Sequence, residues 1–160
     1  MKFDSFSRVL TLEALLHRVS EWRRENASIA FTNGVFDIIH QGHLASLEQA
    51  ASFADKLIVG VNSDQSARSL NKGTGRPFCA QTNRALLIAG FAAVDAVVIF
   101  EESTPYELLK QIKPDVLVKG ADYKLEEIVG REFAKRVERI QLSPGLSTTK
   151  LVQKIRDSLG

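Results

Sequence analysis

Residues 29–61 read IAFTNGVFDIIHQGHLASLEQAASFADKLIVGV. Ile29-Ala30-Phe31-Thr32 is a short apolar run that predicts a strand. Asn33-Gly34 supplies a turn. A helix is predicted from near Gly42 through Leu44, Leu47, Ala50 and Ala51, which recur at the spacing of one helical face. Lys56-Leu57-Ile58-Val59-Gly60-Val61 is again a continuous apolar run, as expected of a parallel strand buried on both faces.

The alternation continues on either side. Leu12, Leu15, Leu16, Val19 and Trp22 recur at helical spacing behind Thr11, a good N-cap, so residues 11–25 are predicted as an amphipathic helix. Residues 63–80 are polar, with Gly73, Gly75 and Pro77, and read as a loop. A helix over 82–92, a strand at 94–100 and a helix from Ser103 or Thr104 to Ile112 follow, with Pro105 in that helix's first turn. Then come a strand at 115–118, a helix over about 126–138, a short strand at 139–142 and a last helix at 148–159. Helix, then β-α-β-loop-α-β-α-β-α-β-α, predicts an α/β fold: one doubly wound parallel sheet with helices on both faces. The expected organisation is a single domain, a leading helix in residues 1–26 and a core over 27–160. In such sheets ligands bind at the carboxyl ends of the strands, where the strand order switches.

Length and composition agree. A chain of 160 residues suits one domain, and at that size roughly 70% of the unfolded chain's surface is buried on folding. No disulfide or structural metal is needed. The net charge of +2 is too small to imply a nucleic-acid partner. Cys79 is the one cysteine, which excludes an intrachain disulfide and fits a reducing cytoplasm. Residues 1–10 show no apolar signal-peptide core, and the longest apolar runs are far short of the ~20 residues that span a bilayer. A cytoplasmic protein with no membrane partner is expected.

The chemistry follows the first strand of that unit: Asn33-Gly34-Val35-Phe36-Asp37-Ile38-Ile39-His40-Gln41-Gly42-His43. Gly34 lets backbone approach a ligand. His40 and His43, three apart around Gly42 at a helix start, share one face of a turn. Free amides at a helix N-terminus favour anions. Two imidazoles and a helix start make a compact phosphate site. A zinc site would need further His or Cys, and no Glu follows His40 as in His-Glu-x-x-His. A Gly-x-Gly-x-x-Gly fingerprint is missing after this strand, so Asp64 cannot serve as its ribose acid, and Gly73-Thr74-Gly75 does not continue into a P-loop. His17 lies on the leading helix and reads as surface.

A second cluster, Ser147-Thr148-Thr149-Lys150, opens the last helix, whose apolar face is Leu151, Val152, Ile155 and Leu159. One hydroxyl would suffice as an N-cap. Three hydroxyls exceed what a cap needs, and an anionic ligand would offset the penalty of a lysine where the helix dipole disfavours a cation; a plain N-cap and an anion site both remain open here. Between the two clusters, the loop of Lys72 and Arg76, with Arg84 in the next helix, is basic and reads as solvated surface or as cations for an anionic ligand. Lys119-Gly120-Ala121-Asp122-Tyr123 follows another strand. Gly120 permits close approach, Asp122 reads as a ribose ligand or a helix cap, and Tyr123 as a base contact or packing.

Gly34-x-Phe36-Asp37-x-x-His40-x-Gly42-His43 resembles the signature of the cytidylyltransferase-like nucleotidyltransferases. Within that superfamily the chain looks like the heptose 1-phosphate adenylyltransferases. Val61-Asn62-Ser63-Asp64, Arg76-Pro77, Val94-Asp95, Thr104-Pro105, the run from Pro114 to Tyr123, Ile128-Val129-Gly130 and Ser147-Thr148-Thr149 fall in order over nearly the whole chain. Val35 stands where those enzymes often have Cys, and Val137-Glu138-Arg139 replaces a frequent Gly-Gly. The resemblance implies a stand-alone adenylyltransferase moving AMP from ATP to a sugar 1-phosphate. His40, His43 and Lys72 would be catalytic. Asn33, Gly34, Val35, Phe36, Gly42, His43, Arg84, Gly120, Asp122, Tyr123, Ser147, Thr148 and Thr149 would bind nucleotide, and Lys72 and Arg76 the acceptor's phosphate. Mg²⁺ would come with ATP, held by phosphates rather than by protein ligands. Homodimers or larger assemblies are expected from the same likeness. Two other readings remain: a cytidylyltransferase acting on glycerol 3-phosphate or an amino-alcohol phosphate, and a non-catalytic nucleotide-binding regulator.

Overall fold

The computed structural model of the chain describes residues 4–70, 73, 75–141 and 147–159. Six strands form one parallel sheet: β1 (Val9–Leu10), β2 (Ile29–Gly34), β3 (Lys56–Asn62), β4 (Ala96–Phe100), β5 (Val116–Gly120) and β6 (Arg136–Ile140). The helices are α1 (Leu12–Arg24), α2 (Gln41–Ala51), α3 (Asp64–Ser69), α4 (Gln81–Ala89), α5 (Tyr106–Ile112) and α6 (Thr148–Leu159). The strand order is β1-β4-β3-β2-β5-β6. From β2 the chain moves outward through β3 and β4, then returns to place β5 on the other side of β2. The order therefore reverses between β2 and β5, and the β2–α2 turn opens at that reversal.

Alternation along the strands sorts the core into two layers. Phe31, Ile58, Val98 and Leu117 pack with Leu15, Val19 and Trp22 of α1 and Leu108, Leu109 and Ile112 of α5. Ala30, Val59, Val61, Val97 and Val118 pack with Leu47 and Ala50 of α2 and Ala85, Ile88 and Ala89 of α4. Thr11 caps α1 as its sequence predicts, its hydroxyl accepting from Ala14 N–H at 3.2 Å.

Several elements differ from expectation, beginning with β1, a two-residue strand where none was predicted. Asn33-Gly34 ends β2 in register with β3 instead of turning. Residues 64–69, expected as loop, form α3. Ser63 caps it, and the helix buries Ser66 and Ala67 rather than an apolar stripe, which hides it from periodicity. The helix expected over 126–138 is absent: two short 3₁₀ turns, Leu125–Glu127 and Arg131–Phe133, stand there instead, followed by β6. Gly130 breaks the run at φ +79°, where an added Cβ would lie 2.4 Å from Leu109 Cδ1. β6 is an edge strand paired only with β5, so it carries Arg, Val and Glu rather than a continuous apolar run.

Candidate active site

At the carboxyl end of β2 the chain turns sharply. Phe36 adopts φ +51°, uncommon for a residue with a side chain. Its ring folds over Gly34, where a Cβ would sit 3.2 Å from the ring carbons. The glycine is thus filled by Phe36 rather than left open for a ligand. The same ring meets His43 edge-on at 5.6 Å.

His40 is the N-cap of α2, and its Nδ1 accepts from Gly42 N–H at 3.1 Å. His43 Nδ1 accepts from His40 N–H at 3.3 Å. The two rings lie 4.0 Å apart, tilted by 32°. An imidazole whose Nδ1 accepts carries its proton on Nε2. Both rings therefore present Nε2–H outward as a donor, their orientations set by the helix start. Burial, and then the neighbouring His40, lower the His43 pKa from 6.5 to about 4. His43 stays uncharged at neutral pH and acts as a hydrogen-bond donor.

The sign of this shift carries a prediction. Between the two values the unfolded chain binds a proton at this residue and the folded chain does not, so stability is full above 6.5 and falls as pH drops toward 4. Thermal melts across that range are expected to show the decline, and His43→Gln to flatten part of it.

Both imidazoles line a cavity of about 310 Å³ with Gly34, Val35, Asp37, Arg76 and, from the far end of the chain, Ser147, Thr148 and Thr149. Ser147 Oγ accepts from Lys150 N–H at 3.2 Å and caps α6, and Thr148 Oγ1 donates to Ile38 O at 3.5 Å. Arg76 spans the cavity wall: Nε lies 3.6 Å from Asp37 Oδ2, and an Nη1–H donates to Thr149 Oγ1 at 3.3 Å. The structure thus brings together His40, His43, Gly34, Val35, Phe36, Gly42, Arg76 and the three hydroxyl residues. Lys72 lies outside the described residues, as do Gly145 and Leu146.

Arg84 departs from its expected role as a phosphate ligand. It is fully buried and does not line the cavity. Its Nε donates to Cys79 O at 2.8 Å, Nη1 to Val35 O at 2.5 Å and Nη2 to Asp64 Oδ1 at 2.8 Å. The guanidinium is committed to carbonyls behind the turn. Asn33, Gly120, Asp122 and Tyr123 also stand apart from the cavity lining, at the adjoining β2–β5 edge. Asn33 Oδ1 accepts there from Lys119 Nζ, which lies 6.0 Å from the Tyr123 ring centroid. Asp122 is exposed and Tyr123 is 47% exposed.

Sequence reasoning put the Lys119–Tyr123 run at the ligand edge but gave Lys119 itself no role; it lies within β5, next to Gly120, which ends the strand. In the sequence Asp37 stood only as one fixed position of the histidine motif. Asp37 in fact joins the turn to the next loop: its Oδ1 accepts from Phe78 N–H at 2.8 Å and Cys79 N–H at 3.0 Å. His17 is exposed on α1, 3.7 Å from Glu21. Among the described residues no group of His, Cys, Asp and Glu is large enough to hold a metal, and no helix is long and apolar enough to cross a membrane.

A cytidylyltransferase-like family model matches residues 31–154, from β2 through the middle of α6. The chain belongs to the cytidylyltransferase-like family. With both histidines and the α2 start in place, it is a nucleotidyltransferase. It is 47% identical over 155 residues to the bifunctional protein HldE of Wolinella succinogenes, covering 97% of this chain and 32% of that protein. It is 50% identical over 135 residues to the bifunctional protein HldE of Campylobacter jejuni, covering 84% and 29%. The chain thus spans about a third of the length of these relatives. A lipopolysaccharide core biosynthesis protein from Thermoplasma volcanium superposes with TM-score 0.62 at 28% identity, over 73% of this chain and 98% of that one. A pantoate-beta-alanine ligase from Francisella tularensis, at TM-score 0.58 and 19% identity over 94% and 78%, shares the fold.

Proposed function

We propose that this nucleotidyltransferase moves AMP from ATP to a sugar 1-phosphate, D-glycero-D-manno-heptose 1-phosphate, giving ADP-heptose and pyrophosphate. One observation carries the reading: two imidazole Nε2–H donors at the start of α2 share a cavity with Arg76 and the hydroxyls that open α6. That arrangement suits two phosphate-bearing ligands meeting at one phosphorus. Likeness to HldE proteins and to a lipopolysaccharide core biosynthesis protein supports placing it in heptose and lipopolysaccharide synthesis.

An oxygen of the acceptor's phosphate attacks the α-phosphorus of ATP in line. The bond to the β-phosphate oxygen breaks, and pyrophosphate leaves. The attacking phosphate is already an anion at neutral pH, so no general base is needed. The protein's contribution is positioning and charge stabilisation. His40 and His43 donate to α-phosphate oxygens as negative charge accumulates. Ser147 to Thr149 and the first turn of α6 hold the β- and γ-phosphates. Arg76 and Lys72 draw in the acceptor, and Asp122 and Tyr123 flank the nucleoside. Among the described residues Asp37 is the one carboxylate lining the cavity, and it is committed to loop amides and Arg76, so Mg²⁺ fits here as the companion of ATP. When bound with the nucleotide it would supply charge neutralisation for the phosphates.

Incubation with ATP or CTP and a panel of sugar 1-phosphates, with glycerol 3-phosphate included, separates the readings by product mass and pyrophosphate release. ADP-sugar formation with ATP is the expected result. CDP-glycerol formation overturns the adenylyl assignment, and nucleotide binding without pyrophosphate release from any pair overturns catalysis.

A further inference from the structure

Asp37 occupies the junction of the histidine turn, the Arg76 loop and α6. It is 5% exposed. Oδ1 is satisfied by the Phe78 and Cys79 amides. Oδ2 is buried and, among the described residues, accepts no hydrogen bond; Arg76 Nε lies 3.6 Å from it.

Tying down the loop does not require a carboxylate. An asparagine carbonyl would accept the same two amides, and a neutral amide costs less to bury than a charge. What asparagine lacks is negative charge on the atom that faces the guanidinium. Arg76 itself is 13% exposed and lies on the cavity wall, extended between Asp37 and Thr149. A planar guanidinium hydrogen-bonded at one Nη, with a carboxylate charge beside its Nε, is constrained in plane and direction.

We propose that Asp37 is a positioning residue: Oδ1 fixes the loop backbone, and the charge on Oδ2 aims the Arg76 guanidinium at the phosphate of the acceptor. The inference rests on the proposed reading for which phosphate that is. Because Oδ2 is occluded from solvent, Asp37 acts through Arg76 rather than on the ligand.

The test is a double-mutant cycle of Asp37→Asn, Arg76→Ala and both together. It reads the acceptor KM, the ATP KM and the melting temperature. Asp37→Asn keeps the loop's acceptor and is expected to raise the acceptor KM about 10-fold, the scale of one charge-assisted contact. The ATP KM and melting temperature should stay close to wild type. In the Arg76→Ala background Asp37→Asn should add nothing. An additive effect there, or parallel losses in ATP KM and melting temperature, overturns the proposal. If wild-type protein turns over no sugar phosphate, the functional reading has failed separately. The same cycle, run as an NMR titration with inorganic phosphate, then decides the aim of Arg76 by the same criterion.

Discussion

His43→Ala is expected to lower kcat for pyrophosphate release by ~10²–10³, the usual loss when one preorganised donor to a developing oxyanion is removed. His43 presents an Nε2–H because its Nδ1 is held by His40 N–H, and burial keeps the ring neutral. The donor is in place before substrate arrives, so no reorganisation is needed as the phosphorus centre gains charge. The substitution also leaves His40 N–H without its acceptor at the start of α2, a loss of about 1 kcal/mol of stability. Circular dichroism and a thermal melt separate that small effect from the rate loss. A folded His43→Ala protein turning over within a few-fold of wild type would remove the imidazoles from the mechanism.

Arg84→Ala is expected to act on the fold first. It removes the donor from two backbone carbonyls, Cys79 and Val35, and leaves Asp64 without its guanidinium. Breaking one side of a buried ion pair costs about 3–5 kcal/mol. In a chain of this length that lowers the melting temperature by about 10 °C. Turnover at a temperature where the variant stays folded should also fall, because the Val35 carbonyl belongs to the turn that carries Phe36 and, through it, His43. A variant that melts like wild type and loses only ATP affinity would restore Arg84 to a direct phosphate contact.

Most of the sheet was legible in the sequence because its central strands are covered on both faces. Residues 56–61 and 94–100 leave little choice but buried parallel strands. The elements that were misread obey other rules. α3 buries serines that hydrogen-bond locally, Asn62 Nδ2 donating to Ser66 Oγ at 2.9 Å, so no apolar stripe marks it. Arg136–Ile140 is half-exposed at a sheet edge, and its mixed composition resembled a helix end. At the site, residue type and spacing sufficed to find the histidines and the hydroxyl cluster. That Arg84 faces inward was not legible: a buried and an exposed arginine look alike in a sequence, and only the carbonyls of Val35 and Cys79 decide between them. The cross-chain tie of Asp37 to Phe78 and Cys79 was hidden for the same reason, since partners 41 and 42 positions apart leave no local pattern.

The strand order also bears on how the chain reaches this state. β2, β3 and β4 are successive strands in the chain and neighbours in the sheet, so each can be laid beside the last with a modest loop to close. β1 and β5 are different. β1 precedes β2 in the chain yet pairs with β4, and β5 must cross back over the assembled strands to pair with β2. Both steps close long loops before any contact rewards them, which slows assembly relative to the central trio. The contact between Asn33 and Lys119 exists only once β5 has docked. The histidine turn is laid down within the central trio, whereas the α6 hydroxyls that close the same cavity are brought in from the far end of the chain.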